Sequence, residues 1–475
     1  MKNKYVDLFS NTFIFGIGNF LSKMVFLVLM PLYTGVLLPE EYNLAEMLNN
    51  LSQLALPILT LCLYEAVFRF SISEETNHQK LLSSALILVL KIFSGVFVIL
   101  LLSSFFINVY YVWIFAMITF SLSIRQLFAQ FTRGIGLIKI FAVSGIINAL
   151  ALIVFNVIFL LLLNGGATGY LLSILFANVV SIIYIYLTAK LHSHISLKRS
   201  DNYLLKSMIL YSLPLIPNAL SWWLVNMSNR FIIFFYCGAA TAGIFIAASK
   251  LPSIINMITQ VFMQAWKISS SKEISEKNSE TFFGNIYILF SSLIWVFTSG
   301  ILLVIPLLTP LLLRNDFQEG EVYIPLLLLA AAVNSFSGFF GSFYIAARKT
   351  KGVFVSTTIG AIVNITLGMI TVPFIGVFGV LLSGVIGYLI IVGFRIFDTR
   401  KYLVFEINWK VTIFCFVLLS AQSVISTFRT TWSKPLSIGL FLIILITVIL
   451  SLRKLWKMFI SYRRAKNAEK QNAEE

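Results

Sequence analysis

The chain has 475 residues, of which 59% are hydrophobic and only 11% charged, with a mean hydropathy of +0.93. Seventy aromatic side chains, 44 of them Phe, stand beside 54 charged ones, too little polar surface to coat soluble domains of this length, so a water-soluble fold is excluded. The +16 balance comes from Lys and Arg scattered between long apolar runs, without a basic soluble module, which argues against a nucleic-acid partner.

In chain order, runs of about 20 mostly apolar residues, the length that crosses about 30 Å of hydrocarbon, recur fourteen times. They lie near 9–33, 44–69, 81–107, 110–132, 140–163, 167–189, 207–236, 241–266, 281–310, 323–347, 353–374, 377–397, 409–428 and 435–452. They lack the short alternation of barrel strands, and a helix satisfies its own backbone in lipid. The expected fold class is therefore all-α, a polytopic membrane protein of about 14 transmembrane helices. The first run begins after only Met1 to Asp7, is too long for a signal-peptide core and has no small-residue cleavage site behind it, so it is expected to stay in the mature protein. With the N-terminus inside, the 35 cations sort into 27 at inner segments, three at outer ones (Arg314, Arg429, Lys434) and five within spans. That asymmetry predicts cytoplasmic termini, with the basic tail around Arg463, Arg464 and Lys466 against anionic lipid headgroups.

The first two spans of each half carry polar stripes at helical spacing. Span one has Thr12, Gly16, Asn19 and Lys23; span two has Glu46, Asn50, Gln53, Pro57, Thr60 and Tyr64. Glu65 and Arg69, one turn apart at the inner end of span two, read as a local ion pair. Lys91 lies in span three and Arg125 in span four; span seven has Asn218, Trp222, Asn226 and Arg230, and span eight has Lys250, Ser253, Met257, Gln260 and Gln264. Ionisable groups in lipid are expensive and mark cavities or pathways. Lys23, Lys91, Arg125, Arg230 and Lys250 outnumber the acids Glu46 and Glu65, so a cavity they line prefers an anion. The candidate substrate-binding residues are thus Asn19, Lys23, Glu46, Asn50, Gln53, Lys91, Arg125, Asn226, Arg230, Lys250, Gln260 and Gln264; the alternative for the amides is helix-to-helix hydrogen bonding. Trp222 and Trp223 offer flat surfaces for sugar rings, whereas Trp266 reads as an interfacial anchor. Pro31, Pro57, Pro214, Pro217 and Pro252 interrupt these same spans as kinks or hinges. Cys62, Cys237 and Cys415 fall within spans and read as unpaired apolar residues, and His78, His192 and His194 as solvated loop residues. No phosphate loop, metal-ligand cluster or Ser/His/Asp arrangement occurs, so no cofactor and no enzyme activity is expected.

An internal repeat organises the chain. Gly166 to Ser173 and Gly376 to Ser383 share the pattern G-x-x-G-x-L-L-S, and Arg133 precedes Asn148 by the same fifteen residues as Lys349 precedes Asn364. Two lobes entered from the same side are thereby expected, residues 1–200 and 201–402, with an appendix of two helices and a basic tail at 403–475 and a cavity between the lobes.

The segment Leu37 to Tyr42 (LLPEEY), the segment Ala247 to Pro252 (AASKLP), and Gln264 to Lys267 (QAWK) with Glu273 behind it resemble the polysaccharide transporter (Wzx-type repeat-unit flippase) family of the multidrug/oligosaccharidyl-lipid/polysaccharide exporter superfamily. The resemblance runs over essentially the whole chain. It implies alternating-access translocation of undecaprenyl-diphosphate-linked oligosaccharide units of O-antigen, capsule or exopolysaccharide, with membrane lipid, a polysaccharide polymerase and a chain-length regulator as partners. Multidrug exporters of the superfamily usually depend on an acidic residue in the first lobe, a pattern from which these cation-rich spans depart. The alternatives are a membrane-embedded polymerase or ligase and a cation-coupled drug exporter.

Overall fold

The computed structural model describes residues 25, 27–73, 77–106, 109–196, 201–273, 279–346, 351–401, 406–428 and 432–474. Its regular elements are helical: α1 (Leu27–Val36), α2 (Pro39–Leu59), α3 (Leu63–Ser71), α4 (His78–Ser103), α5 (Tyr110–Gly134), α6 (Ile138–Asn156, continued by a π turn Val157–Leu162), α7 (Gly166–Thr188), α8 (Asn202–Ser212), α9 (Leu215–Cys237), α10 (Ala239–Ala248), α11 (Ser253–Glu273), α12 (Ser279–Leu312), α13 (Ile324–Ala346), α14 (Lys351–Ile375), α15 (Val377–Thr399), α16 (Trp409–Phe428) and α17 (Ser433–Glu474). Ten helices are long and apolar enough to cross a membrane, and the bent pairs α2–α3 and α10–α11 bring the number to twelve among the described residues. Of the other two expected spans, the first lies largely outside the described residues, and the seventh is helical as α8 and α9.

The bends follow from prolines. Helix α2 opens with Pro39 in its first turn, and Glu41 accepts a hydrogen bond from the Leu38 backbone N–H at 3.0 Å, the arrangement that starts a helix. Near its end Pro57 supplies no amide donor, and the chain passes through left-handed residues Leu61 (φ 51°) and Cys62 (φ 52°). The Cys62 N–H then bonds the Pro57 carbonyl at 3.0 Å, and α3 restarts bent by 60°. The α10–α11 break, 42°, contains Pro252, and the short interruption between α8 and α9 contains Pro214.

The chain forms two compact units, one of residues 1–228 with 239–243 and the other of 229–238 with 244–475. In the first unit α5 is the central helix, packed against α2, α3, α4, α6 and α7. Its hydroxyls bond back to their own helix, Thr119 to the Phe115 carbonyl and Ser123 to the Thr119 carbonyl at 2.7 Å each, so they are buried without an orphaned donor. Leu127 and Phe131 of α5 join Val67 of α3 and Leu82, Ala85 and Val89 of α4 in the core. In the second unit α13 is central, and Phe336, Phe339, Phe340 and Phe343 stack it against α11 and α12. Trp266, read from sequence as an interfacial anchor, instead lies 2% exposed in this cluster. The ring stacks on Phe339 with centroids 5.2 Å apart, and its indole N–H donates to Ser342 at 2.7 Å, which lets a polar-tipped ring be buried. Glu65 and Arg69 also depart from expectation: they form no ion pair, and Arg69 is exposed while Glu65 is half-buried.

The G-x-x-G segments share two local features across the units. Gly166 and Gly376 open α7 and α15 with left-handed φ of 54° and 56°. One turn on, a Cβ on Gly169 would stand 2.8 Å from the Phe159 carbonyl oxygen, and one on Gly379 2.7 Å from the Thr371 carbonyl carbon. Each glycine lets its helix touch the backbone end of the helix before it.

Candidate functional site

The first unit holds a cavity of about 400 Å³ between α2, α5, α6 and α7. Helix α5 faces it with Ile118, Leu122, Arg125, Gln126 and Ala129, one stripe of a 3.6-residue helix. The opposite walls carry small residues, Ala142, Gly145 and Ala149 of α6 and Ala177 of α7, which leave the space open. Polar groups complete the lining: Asn49 and Gln53 from α2, Ser144 and Asn148 from α6, and Tyr170 and Asn178 from α7.

Asn178 is the link in a hydrogen-bond chain. It accepts from Asn148 Nδ2 at 3.3 Å and donates to Ser121 Oγ at 3.2 Å, while Ser121 donates to the Ile118 carbonyl at 2.9 Å. Three helices are thereby held in register, and the chain leaves Asn148 Oδ1 and further amide hydrogens for the cavity.

Arg125 stands fifteen residues into α5, about 22 Å from its start and about 13 Å from its end. Its guanidinium makes no hydrogen bond and no ion pair among the described residues, and its Nε is buried without a partner. The residue is half-buried with its Nε shielded, and a cation so placed within a membrane span is costly unless an anion or water meets it. The neighbouring acid is committed elsewhere. Glu46, 2% exposed, accepts the Tyr170 hydroxyl at 2.7 Å inside a cluster of tyrosines, with the Tyr33 ring centroid 4.8 Å and the Tyr42 centroid 6.1 Å from that of Tyr170. Tyr170 thus joins the acid on one side to the cavity wall on the other.

Of the predicted site residues, Gln53 and Arg125 line this cavity, and Glu46 reaches it through Tyr170. Asn50 lies on α2 with its Nδ2 buried and unpartnered, and its carbonyl accepts the Trp223 indole N–H at 2.9 Å. Lys91 is exposed on α4 and does not line the cavity. Arg230 and Lys250 belong to the second unit, both half-buried, with Lys250 in the α10–α11 break where its carbonyl accepts from the Ser253 amide and hydroxyl; Gln260 is exposed on α11. Asn19 and Lys23 lie outside the described residues, as do the side chains of Asn226 and Gln264. Sequence reasoning missed Asn49, Gln126 and Asn178 as lining residues. It placed Asn148 only as a repeat marker, and spacing alone does not tell which face of an all-apolar helix turns inward. It also took Arg395 for an inner-segment cation, whereas Arg395 is buried in the second unit. Among the described residues no three His, Cys, Asp or Glu side chains gather as metal ligands.

The sequence profile of the family described as polysaccharide biosynthesis protein matches residues 8–267. No curated protein sequence matches the chain. Among solved structures, the lipid II flippase MurJ in an inward closed conformation aligns with a TM-score of 0.64 at 16% identity, over 94% of this chain and 100% of that one. An inward-facing multidrug resistance MATE family transporter of the MOP superfamily aligns at 0.63 and 14% identity, over 80% and 95%. A MOP superfamily transporter from Pyrococcus furiosus, described by the reverse polarity of its binding pocket, aligns at 0.55 and 15%, over 82% and 96%. At these identities the likeness speaks for the fold, while the profile covers more than half of the 475 residues. This multi-pass membrane protein, folded like the MATE and MurJ transporters, belongs to the polysaccharide biosynthesis protein family.

Proposed function

We propose that the protein is a flippase that carries an undecaprenyl-diphosphate-linked oligosaccharide unit across a bacterial inner membrane. The observation that carries this reading is Arg125, a guanidinium without a partner among the described residues, facing an amide-lined cavity inside the membrane-spanning region. A cation kept there at such cost is explained by a cargo that brings the opposite charge. Family membership supplies the glycan context, and the fold shared with a protein described as a lipid II flippase supports a lipid-linked form of it. The pocket of reverse polarity described for one MOP superfamily transporter is a precedent for a charge-altered site on this fold.

In the proposed cycle the lobes rock against one another while the polyprenyl tail stays in lipid. Lys23, Arg230 and Lys250 attract the diphosphate, and Arg125 with the surrounding amides holds an anionic part of the glycan. Both termini are cytoplasmic, and the cargo is an O-antigen, capsule or exopolysaccharide unit passed on to a polymerase. The test is a deletion strain of the native host. Lipid-linked oligosaccharide should accumulate and surface polysaccharide disappear, wild-type protein should restore both, and Arg125→Ala should insert at normal abundance yet restore neither. Normal surface polysaccharide in the deletion strain would overturn the proposal.

A further inference from the structure

We infer that the first-unit cavity is a specificity site for a carboxylate-bearing sugar, so that the glycan moved by this protein contains an acidic residue such as a uronic acid. The inference rests on the flippase reading for the nature of the cargo, and goes beyond it in saying which part of the cargo Arg125 holds.

Three features of the lining choose among anions. The first is the charge count. Arg125 is the single charged side chain that lines the cavity among the described residues, and no carboxylate faces it. One planar guanidinium matches one carboxylate through two parallel N–H···O bonds. A diphosphate spreads its charge over two phosphoryl groups, which one guanidinium does not match in this way.

The second is hydrogen-bond polarity. Asn49, Gln53, Gln126 and Asn148 each present a carbonyl oxygen as well as an amide donor, and for Asn49, Gln53 and Gln126 no internal bond uses either group. A halide or a fully ionised phosphate only accepts hydrogen bonds, so it leaves every one of those oxygens unsatisfied or turned against it. Sugar hydroxyls donate and accept, and satisfy both halves of each amide. The third is size and surface. About 400 Å³ lies in the range of small-molecule pockets and takes one or two sugar rings rather than a whole repeat unit. Tyr170 adds an aromatic wall whose hydroxyl is already occupied by Glu46, so the ring is held fixed.

The geometry therefore reads as carboxylate on Arg125, hydroxyls on the amides and a ring face near Tyr170. It is tested on purified full-length protein by thermal unfolding in the presence of sodium D-glucuronate, sodium D-galacturonate, D-glucose, sodium pyrophosphate or sodium chloride at matched ionic strength. A uronate should raise the Tm and the other three should not. Arg125→Gln, which removes no intramolecular bond, should remain folded and bind the uronate roughly tenfold more weakly or worse. Gln126→Glu, which sets a like charge against the sugar carboxylate at a lining side chain that makes no internal bond, should also abolish the protection, and serves if Arg125→Gln fails to fold. Protection by pyrophosphate or chloride that depends on Arg125, or uronate protection that survives both variants, would overturn the inference. The two readings fail separately. Accumulated lipid-linked oligosaccharide in the deletion strain together with pyrophosphate binding at Arg125 removes only the acidic-sugar site. Uronate binding at Arg125 in a protein whose deletion leaves surface glycan intact removes only the flippase.

Discussion

Arg125 and Arg395 each sit within a membrane-spanning helix, one in each unit, and their surroundings are opposite. Arg395 of α15 is 5% exposed and fully engaged: Nε donates to Ser356 Oγ at 2.9 Å, Nη2 to Thr357 Oγ1 at 2.8 Å and Nη1 to the Ser337 carbonyl. Arg125 of α5 has none of this and faces a cavity. The repeat relates the two places. The 216-residue offset that takes Asn148 to Asn364 takes Ser121 to Ser337 and Arg125 to Gly341. Gly341 is where the Arg395 guanidinium lies, since a Cβ there would come 2.6 Å from Nη1. Equivalent loci thus hold a guanidinium in each unit, in one as interhelical glue for α13, α14 and α15 and in the other with its donors unspent. Buried positive charge by itself does not signal function; the state of its hydrogen-bond donors separates the two uses.

The sharpest way to break this contrast is to remove each guanidinium. Arg125→Ala should lower glycan export at least roughly hundredfold, the loss of about 3 kcal/mol of binding, while Tm stays level or rises because a desolvated charge is gone. Arg395→Ala should do the reverse. It removes three interhelical hydrogen bonds and opens a void, a cost of about 3–5 kcal/mol, read as a fall in Tm and in membrane abundance with export per molecule retained. If Arg125→Ala unfolds the protein, or Arg395→Ala blocks export without lowering Tm, the division of roles is wrong.

Smaller substitutions refine it. Gly341→Ala should push on Nη1 and destabilise by about 1–3 kcal/mol as an overpacked core does, with thermal unfolding as the measure and no loss of export beyond that of abundance. Asn178→Ala cuts the link between Asn148 and Ser121 and should cost about 1 kcal/mol in stability, together with a few-fold loss of export as the cavity wall loosens. Gly376→Ala, which forces a side chain to positive φ in open space, should cost about 1–2 kcal/mol, and Gly166→Ala should lower the Tm further because its Cβ would also stand 2.7 Å from Glu41 Oε1.

Much of the fold was legible in the chain. Long apolar runs marked the spans because only a helix of about 20 residues crosses lipid with its backbone satisfied. Pro57, Pro214 and Pro252 marked interruptions because proline lacks the amide donor, although the left-handed turn at Leu61 and Cys62 that completes the α2–α3 bend had no mark of its own. Arg125 was legible as a costly group in a span. Its neighbours Asn49, Gln126 and Asn178 were not, since helices apolar on both the lipid side and the protein side carry little amphipathic signal to orient them. Lys91, equally conspicuous in sequence, turned out exposed on α4, and Trp266, whose indole reads as a membrane-interface residue, found a hydroxyl partner that only the approach of α13 supplies.

The sequence alone determined that this is a polytopic helical protein with an excess of positive charge in its expected spans, because composition and run length are summed along the chain and do not depend on which helix meets which. Only the tertiary structure decided which of those charges are bonded inside the protein and which face a cavity. That distinction rests on the rotation of each helix about its axis, which is set in the membrane by close packing of small residues and by a handful of interhelical hydrogen bonds such as Asn148 to Asn178 and Arg395 to Ser356.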